Sequence, residues 1–210
     1  MKPAKRLPIT WTRIFVICRV AASKWDERWQ YVGTHGSRLL NEEKERGDFW
    51  LWCCIDADTN LVFSHKVGKR DWWTGNTFVE DVRNRVKLPV QIATDNLRSY
   101  AFHIRQHFGY EGYSYGTETK VFGEPELLDG TLARLGRNEG VRRMQTAQRK
   151  AVIGSPDLES LTTSHIERAF LTVRQESKRF RAKQKPPRGE ARRLICEIRL
   201  CHRPGCFTDC

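Results

Sequence analysis

The sequence predicts a mixed α/β domain with an antiparallel start and at least one βα crossover, set between two basic extensions. Three observations lead there. The nearly continuous apolar run Phe49–Ile55 has the character of a strand covered on both faces. The turn cluster Asp56-Ala-Asp-Thr-Asn60 joins it to Leu61–Val67, so the two runs form a hairpin. Beyond the hairpin, apolar residues at helical spacing alternate with a further short strand.

In chain order, Trp29-Gln-Tyr-Val32 is short, aromatic and β-branched and is the first expected strand. A polar stretch over Thr34–Asp48 separates it from the apolar run, and Gly68 closes the hairpin. From Asp71 to Val86 the pattern is helical: Phe78, Val79, Val82 and Val86 share a face, and Asp71 or Thr74 is placed to cap the start. Pro89 ends that helix, and Val90-Gln-Ile-Ala-Thr94 is a strand running directly into Asp95. Ser99–Phe108 reads as a helix ended by Gly109. The weakly periodic region Gly116–Gly154 is expected to be a loop insertion before the last helix. That helix, Ser164–Phe180, places Ile166, Phe170, Val173 and Ser177 on one face, with Thr163 or Ser164 as cap and Glu167 at capping-box spacing from Ser164. After Phe180 the periodicity stops. The expected organisation is a basic extension over 1–24, a folded domain over 25–180 and a basic, irregular tail over 181–210.

The 210 residues suffice for one well-buried domain, and seven Trp with ten Phe supply large apolar groups for its core. The net charge of +12 implies a polyanionic partner, and its distribution narrows the class. Residues 1–25 carry Lys2, Lys5, Arg6, Arg13, Arg19 and Lys24 and no acid. From Arg168 to Cys210 there are 12 basic against 4 acidic residues, a surplus of 8. A near-neutral middle with basic flanks suits contacts to nucleic-acid phosphates better than a uniformly charged surface does.

No stretch reaches the ~20 apolar residues of a membrane-crossing helix; Ile14–Ala22 is short and broken by Arg19. A secretory leader is not expected either, because no small-residue cleavage site is followed by secreted-type sequence. Cys53 and Cys54 fall inside the apolar run, where free thiols act as small hydrophobes, so the expected compartment is reducing and cytoplasmic.

Three acids sit where chemistry could use them. Asp26 is expected at the head of the first strand, Asp95 directly after a later one, and Glu167 one turn into the last helix. Carboxylates at strand ends face one crevice, and a helix packed across the sheet can bring a third over it. Hard Mg²⁺ ions take oxygen ligands, so convergent carboxylates can hold a pair of them for phosphodiester chemistry. Each acid also has an ordinary reading: Glu167 as a capping-box acid, Asp95 as a helix cap, Asp26 as a solvated charge.

The residues around these acids resemble transposases of the insertion-sequence-one family. Trp25-Asp-Glu-Arg-Trp-Gln-Tyr-Val-Gly33 is similar to that family's "DE-x-W-x-[FY]-V-G" segment. Trp52–Val62 and Val67-Gly-Lys-Arg-Asp71 resemble its second and third strands, and Thr94-Asp-Asn-Leu-Arg-Ser-Tyr100 its "TD-x-x-x-x-Y" segment. Thr163–Arg174 resembles its "TS-x-[VI]-ER-x-N-L-T-x-R" helix. The resemblance implies a ribonuclease H-like mixed sheet flanked by helices and a DDE transposase that cleaves and joins DNA strands. Asp26, Asp95 and Glu167 would be its catalytic, metal-binding trio, holding Mg²⁺ with Mn²⁺ able to substitute. His165, Arg168, Arg174, Lys178 and Arg179 would be DNA-facing. Partners would be double-stranded DNA, as transposon ends and target, and further copies of the chain, at the nucleoid. Asp56 is assigned to the hairpin turn and kept in reserve as a ligand. The sequence departs from the family at Phe170, where Asn is usual, and at both ends, where an altered reading frame is one explanation. An inactive DNA-binding remnant and another nuclease of the same fold are the alternative functions.

Other clusters are weaker. Cys196, Cys201, His202, Cys206 and Cys210 lack paired-knuckle zinc spacing. His103 and His107 share a helix face without an intervening HExxH glutamate. Trp72-Trp73 could stack on bases, but at a helix start they read as packing groups.

Overall fold

The computed structural model describes residues 18–32, 47–124 and 143–176. Its elements are β1 (Ala22–Val32), β2 (Gly47–Asp56), β3 (Val62–Gly68), α1 (Trp72–Arg85), β4 (Val90–Thr94), α2 (Arg98–Phe108), β5 (Tyr113–Phe122), β6 (Met144–Ile153) and α3 (Ser164–Glu176). The strands form one six-stranded mixed sheet in the order β3-β2-β1-β4-β5-β6. β1, β4 and β5 are parallel neighbours, whereas β2, β3 and β6 are attached by antiparallel pairing. The sheet is flanked by helices, as the α/β pattern predicts.

Side-chain alternation along β2 explains its unbroken apolar run. Trp52 and Cys54 enter a core with Trp25, Phe78, Val82 and Ile104 beneath α1 and α2. Leu51, Cys53 and Ile55 face the other way and pack with Ile166 and Phe170 of α3. Phe170 therefore fills an apolar contact where the resembling family usually has Asn. Each large side chain so buried contributes about 1.5–3 kcal/mol. Cys53 and Cys54 form no disulfide, and burial raises their thiols far above the usual range, which suits packing rather than reactivity.

Local chemistry fixes the element ends. Asp71 caps α1 by accepting the Thr74 N–H at 2.7 Å. α2 stops at Gly109, whose φ of 77° is open to glycine without strain. Asp56 accepts from the Thr59 hydroxyl at 2.6 Å, and Asn60 takes φ 57° to close the β2–β3 turn. Asp56 thus serves the hairpin turn to which the sequence assigned it.

Two expectations need correction. The region expected as a loop insertion contains β5 and β6, paired from Tyr115–Ile153 to Phe122–Met144. Their residues are mostly polar because β6 is an exposed edge strand, so apolar alternation was weak. Secondly, β1 begins at Ala22, ahead of the boundary expected at residue 25, and Val20 is already in the core. Ser23 and Lys24 hid that start, yet both are buried: the Lys24 ammonium donates to the Ser160 carbonyl. No helix among the described residues is long and apolar enough to cross a membrane.

Candidate functional site

Sheet register brings two of the acids together. Trp25 of β1 lies opposite Thr94 of β4 in the parallel pair, so the next residues, Asp26 and Asp95, fall side by side where β4 ends and β1 runs on. Neighbouring strands are about 4.8 Å apart, which sets the carboxylate spacing before any rotamer is chosen. Alternation sends Trp25 into the core, edge-on to Phe78 and Tyr100 at centroid distances of 5.9 Å, and turns Asp26 to the opposite face. Asp26 pairs in register with Cys53 and so lies within a strand, not at its head as expected. The extra length of β1 is the reason. Asp95 is where the sequence put it, and its carboxylate accepts the Leu97 N–H at 3.1 Å.

Glu167 reaches the same cleft from α3. The cleft, about 580 Å³, is lined by Asp26, Arg70, Asp95, Lys120, Thr163 and Glu167 among others. Glu167 is 46 % exposed; it pairs with Lys120 and contacts the Thr163 hydroxyl at 3.1 Å. It does not close the capping box expected with Ser164, because the Ser164 N–H goes to the Thr162 hydroxyl oxygen at 3.2 Å.

Three further residues escaped the sequence reading. Glu27 presents a side chain only 1 % exposed, and one oxygen each from Asp26, Glu27 and Asp95 lie within 4.8 Å of one another. The Glu27 carboxylate is already satisfied: Oε1 accepts from Arg70 Nε and Nη2 at 2.9 and 2.6 Å, and Oε2 from the Tyr100 hydroxyl at 3.0 Å. Arg70 Nη2 is in turn 4.0 Å from Asp95 Oδ2. Glu118 follows Thr117, the register partner of Thr94, so it extends the row of acids onto β5. It accepts from the Thr163 N–H and hydroxyl and from Arg149, and thereby pins the start of α3 that carries Glu167. The "Asp-Glu" dipeptide and the Gly-Lys-Arg-Asp turn were visible in the sequence; Glu118 had no local signal.

Electrostatics separate these acids. Burial, then the charges of Asp95 and Glu27, raise the Asp26 carboxyl to about 8, against a lowering hydrogen bond from the Glu27 N–H. Burial and Asp95 raise Glu27 although Arg70 and Tyr100 oppose the shift. Burial also raises Asp95, partly offset by the Leu97 N–H and Arg70. At Glu118 burial is outweighed by the bonds from Thr163 and Arg149, which hold it below the usual carboxylate range. A desolvated pair of acids with hard oxygen donors at this spacing is a set that a divalent cation fits, and positive charge there relieves the repulsion that raises Asp26. Asp26 and Asp95 could hold such an ion directly. Glu27 is committed to Arg70 and Tyr100, and Glu167 would have to leave Lys120.

Among the expected DNA-facing residues, His165 and Arg168 are exposed on α3. Arg174 lies on α3, but its side chain is outside the described residues, as are Lys178, Arg179 and the tail cysteines with His202. Trp72 is half-exposed and packs on Phe102 and His103 at 4.6 and 4.2 Å, while Trp73 is exposed, so neither is in the core. His103 is fully buried and His107 bonds Asn76 at 2.9 Å, so the pair does not share a metal site. Compared with known protein families and with characterised proteins, the chain matches none, so its resemblance to transposases rests on the four segments alone.

Proposed function

We propose that this chain is a metal-dependent DNA strand transferase of the DDE type, cleaving at an element's end and joining the 3′-hydroxyl to target DNA. The observation that carries the reading is the convergence of Asp26, Asp95 and Glu167 on one cleft from two parallel strands and the helix across them. The strand order β3-β2-β1-β4-β5, three antiparallel followed by two parallel additions, supports a ribonuclease H-like interpretation of the sheet. The basic flanks supply the charge that a duplex partner requires. Nucleoid-bound double-stranded DNA in the cytoplasm and self-association complete the proposal.

In this reading Asp26 and Asp95 are the fixed ligands and Glu167 the third. Mg²⁺ ions, or Mn²⁺, held there would activate a water or 3′-hydroxyl and stabilise the leaving oxygen. The protein's own contribution is placement. β1 and β4 set the two carboxylates through register, Glu118 fixes the start of α3, and the aromatic core beneath Trp25 keeps β1 from yielding. His165 and Arg168 stand exposed beside Glu167, where a phosphate backbone would pass.

The test is nicking and strand transfer of a labelled duplex with Mg²⁺ or Mn²⁺, comparing the native chain with Glu167→Gln. The expected result is metal-dependent product from the native chain and none from the variant. A native chain that binds duplex and cuts nothing is an inactive remnant, and equal activity in the variant removes Glu167 from the trio.

A further inference from the structure

We propose that Arg70 is a DNA-phosphate ligand of the acidic cleft, presented by Glu27 and Tyr100 as a preformed cradle. The inference rests on the DNA-processing reading and assigns within it a residue that the acidic trio leaves without a task.

The argument starts in the core. Tyr100 is fully buried, with its ring edge-on to Trp25 and Trp52 at 5.9 and 5.8 Å. Its hydroxyl is therefore a fixed point, and it donates to Glu27 Oε2. The other Glu27 oxygen takes two donors of Arg70, Nε and Nη2. A guanidinium has five N–H donors in a rigid fork, and this contact uses one edge of it. The opposite edge remains for another planar or tetrahedral anion. Arg70 is 43 % exposed while Glu27 is 1 % exposed, so the free edge belongs to the cleft and the used edge to the interior.

Position supplies the ligand class. Arg70 Nη2 lies 4.0 Å from Asp95 Oδ2, beyond a good hydrogen bond, so the guanidinium stands beside the acids without being consumed by them. A phosphodiester brought to Asp26 and Asp95 passes within reach of that edge. A carboxylate partner buried solely to hold an exposed Arg makes little sense as a stability device, because an apolar pair of the same volume serves at least as well. It makes sense where a positive group has to be aimed before the ligand arrives.

The experiment is equilibrium binding of a labelled blunt duplex, with Ca²⁺ present, over a range of salt concentrations. Arg70→Gln alone leaves the buried Glu27 without its cation, held only by the Tyr100 hydroxyl, so the Glu27→Gln/Arg70→Gln double variant is measured beside it, and thermal midpoints check that each is folded. The expected result is duplex affinity about tenfold weaker in both variants and a log–log salt slope shallower by roughly 0.9, the loss of one phosphate contact. Folded variants with native affinity and slope overturn the assignment of Arg70 while leaving the acidic trio standing. A native chain that binds no duplex overturns the DNA reading and this inference with it.

Discussion

The two sides of the acidic cleft are built differently. On the sheet side, Asp26 and Asp95 are placed by backbone register, desolvated, and backed by a buried aromatic core. On the helix side, Glu167 is 46 % exposed on an element that touches the sheet mainly through Ile166 and Phe170 and is pinned at its start by Glu118. The sheet pair is desolvated and mutually repulsive; the helix acid is half-exposed and ion-paired with Lys120. If the proposed cation binds here, the first two carboxylates would meet it preorganised, whereas Glu167 would have to exchange Lys120 for it.

The largest expected effect falls on the sheet pair. Under the proposed function, Asp26→Asn or Asp95→Asn would remove a metal ligand and is expected to lower metal-dependent cleavage on the order of 10³-fold, with the fold intact by circular dichroism. Retained activity in either variant breaks the comparison at its rigid end. Next comes the seat of α3. Phe170→Ala opens a cavity beneath the helix and should destabilise the chain by about 3 kcal/mol in urea unfolding. A loss below about 1 kcal/mol would mean that α3 is held elsewhere.

Glu118→Gln tests the pin. It weakens charge-assisted bonds to Thr163 and Arg149 and is expected to cost about 2 kcal/mol near neutral pH. The folded Glu118 carboxyl lies below its usual value, so its stabilisation is present above the unfolded pKa of about 4.3 and fades as pH falls through the folded one. The native and Glu118→Gln unfolding midpoints should therefore converge as the pH is lowered below 4.3, and a pH-independent gap assigns the loss to packing. The smallest effect is at Lys120. Its pair with Glu167 is partly solvent-screened, so Lys120→Ala should change stability by less than about 1 kcal/mol while tightening Mn²⁺ binding a few-fold.

Local chemistry made the strands β2–β4 and the three helices readable, because each carries its own signal: an unbroken apolar run, a turn cluster, a capping Asp71, a terminating Gly109. What was hidden depends on partners far along the chain. Lys24 sits buried in β1 because the Ser160 carbonyl receives its ammonium, and β5–β6 are held by pairing rather than by apolar alternation. Asp95 and Glu167 could be placed because each lies at an element end that the sequence marks. Glu27, Arg70 and Glu118 were not placed at the cleft, since register and the packing of Tyr100 bring them there; the segments holding Glu27 and Arg70 were visible, but Glu118 has no local signature.

The central claim is that Asp26 and Asp95 form a preorganised divalent-cation site to which Glu167 adds. Mn²⁺ binding followed by electron paramagnetic resonance tests it most directly, on the native chain and on Asp26→Asn, Asp95→Asn, Glu27→Gln and Glu167→Gln. The account predicts bound Mn²⁺ in the native chain, loss in the first two variants, weakening in Glu167→Gln and near-native binding in Glu27→Gln. Undiminished binding in Asp26→Asn and Asp95→Asn, or loss confined to Glu27→Gln, would contradict it.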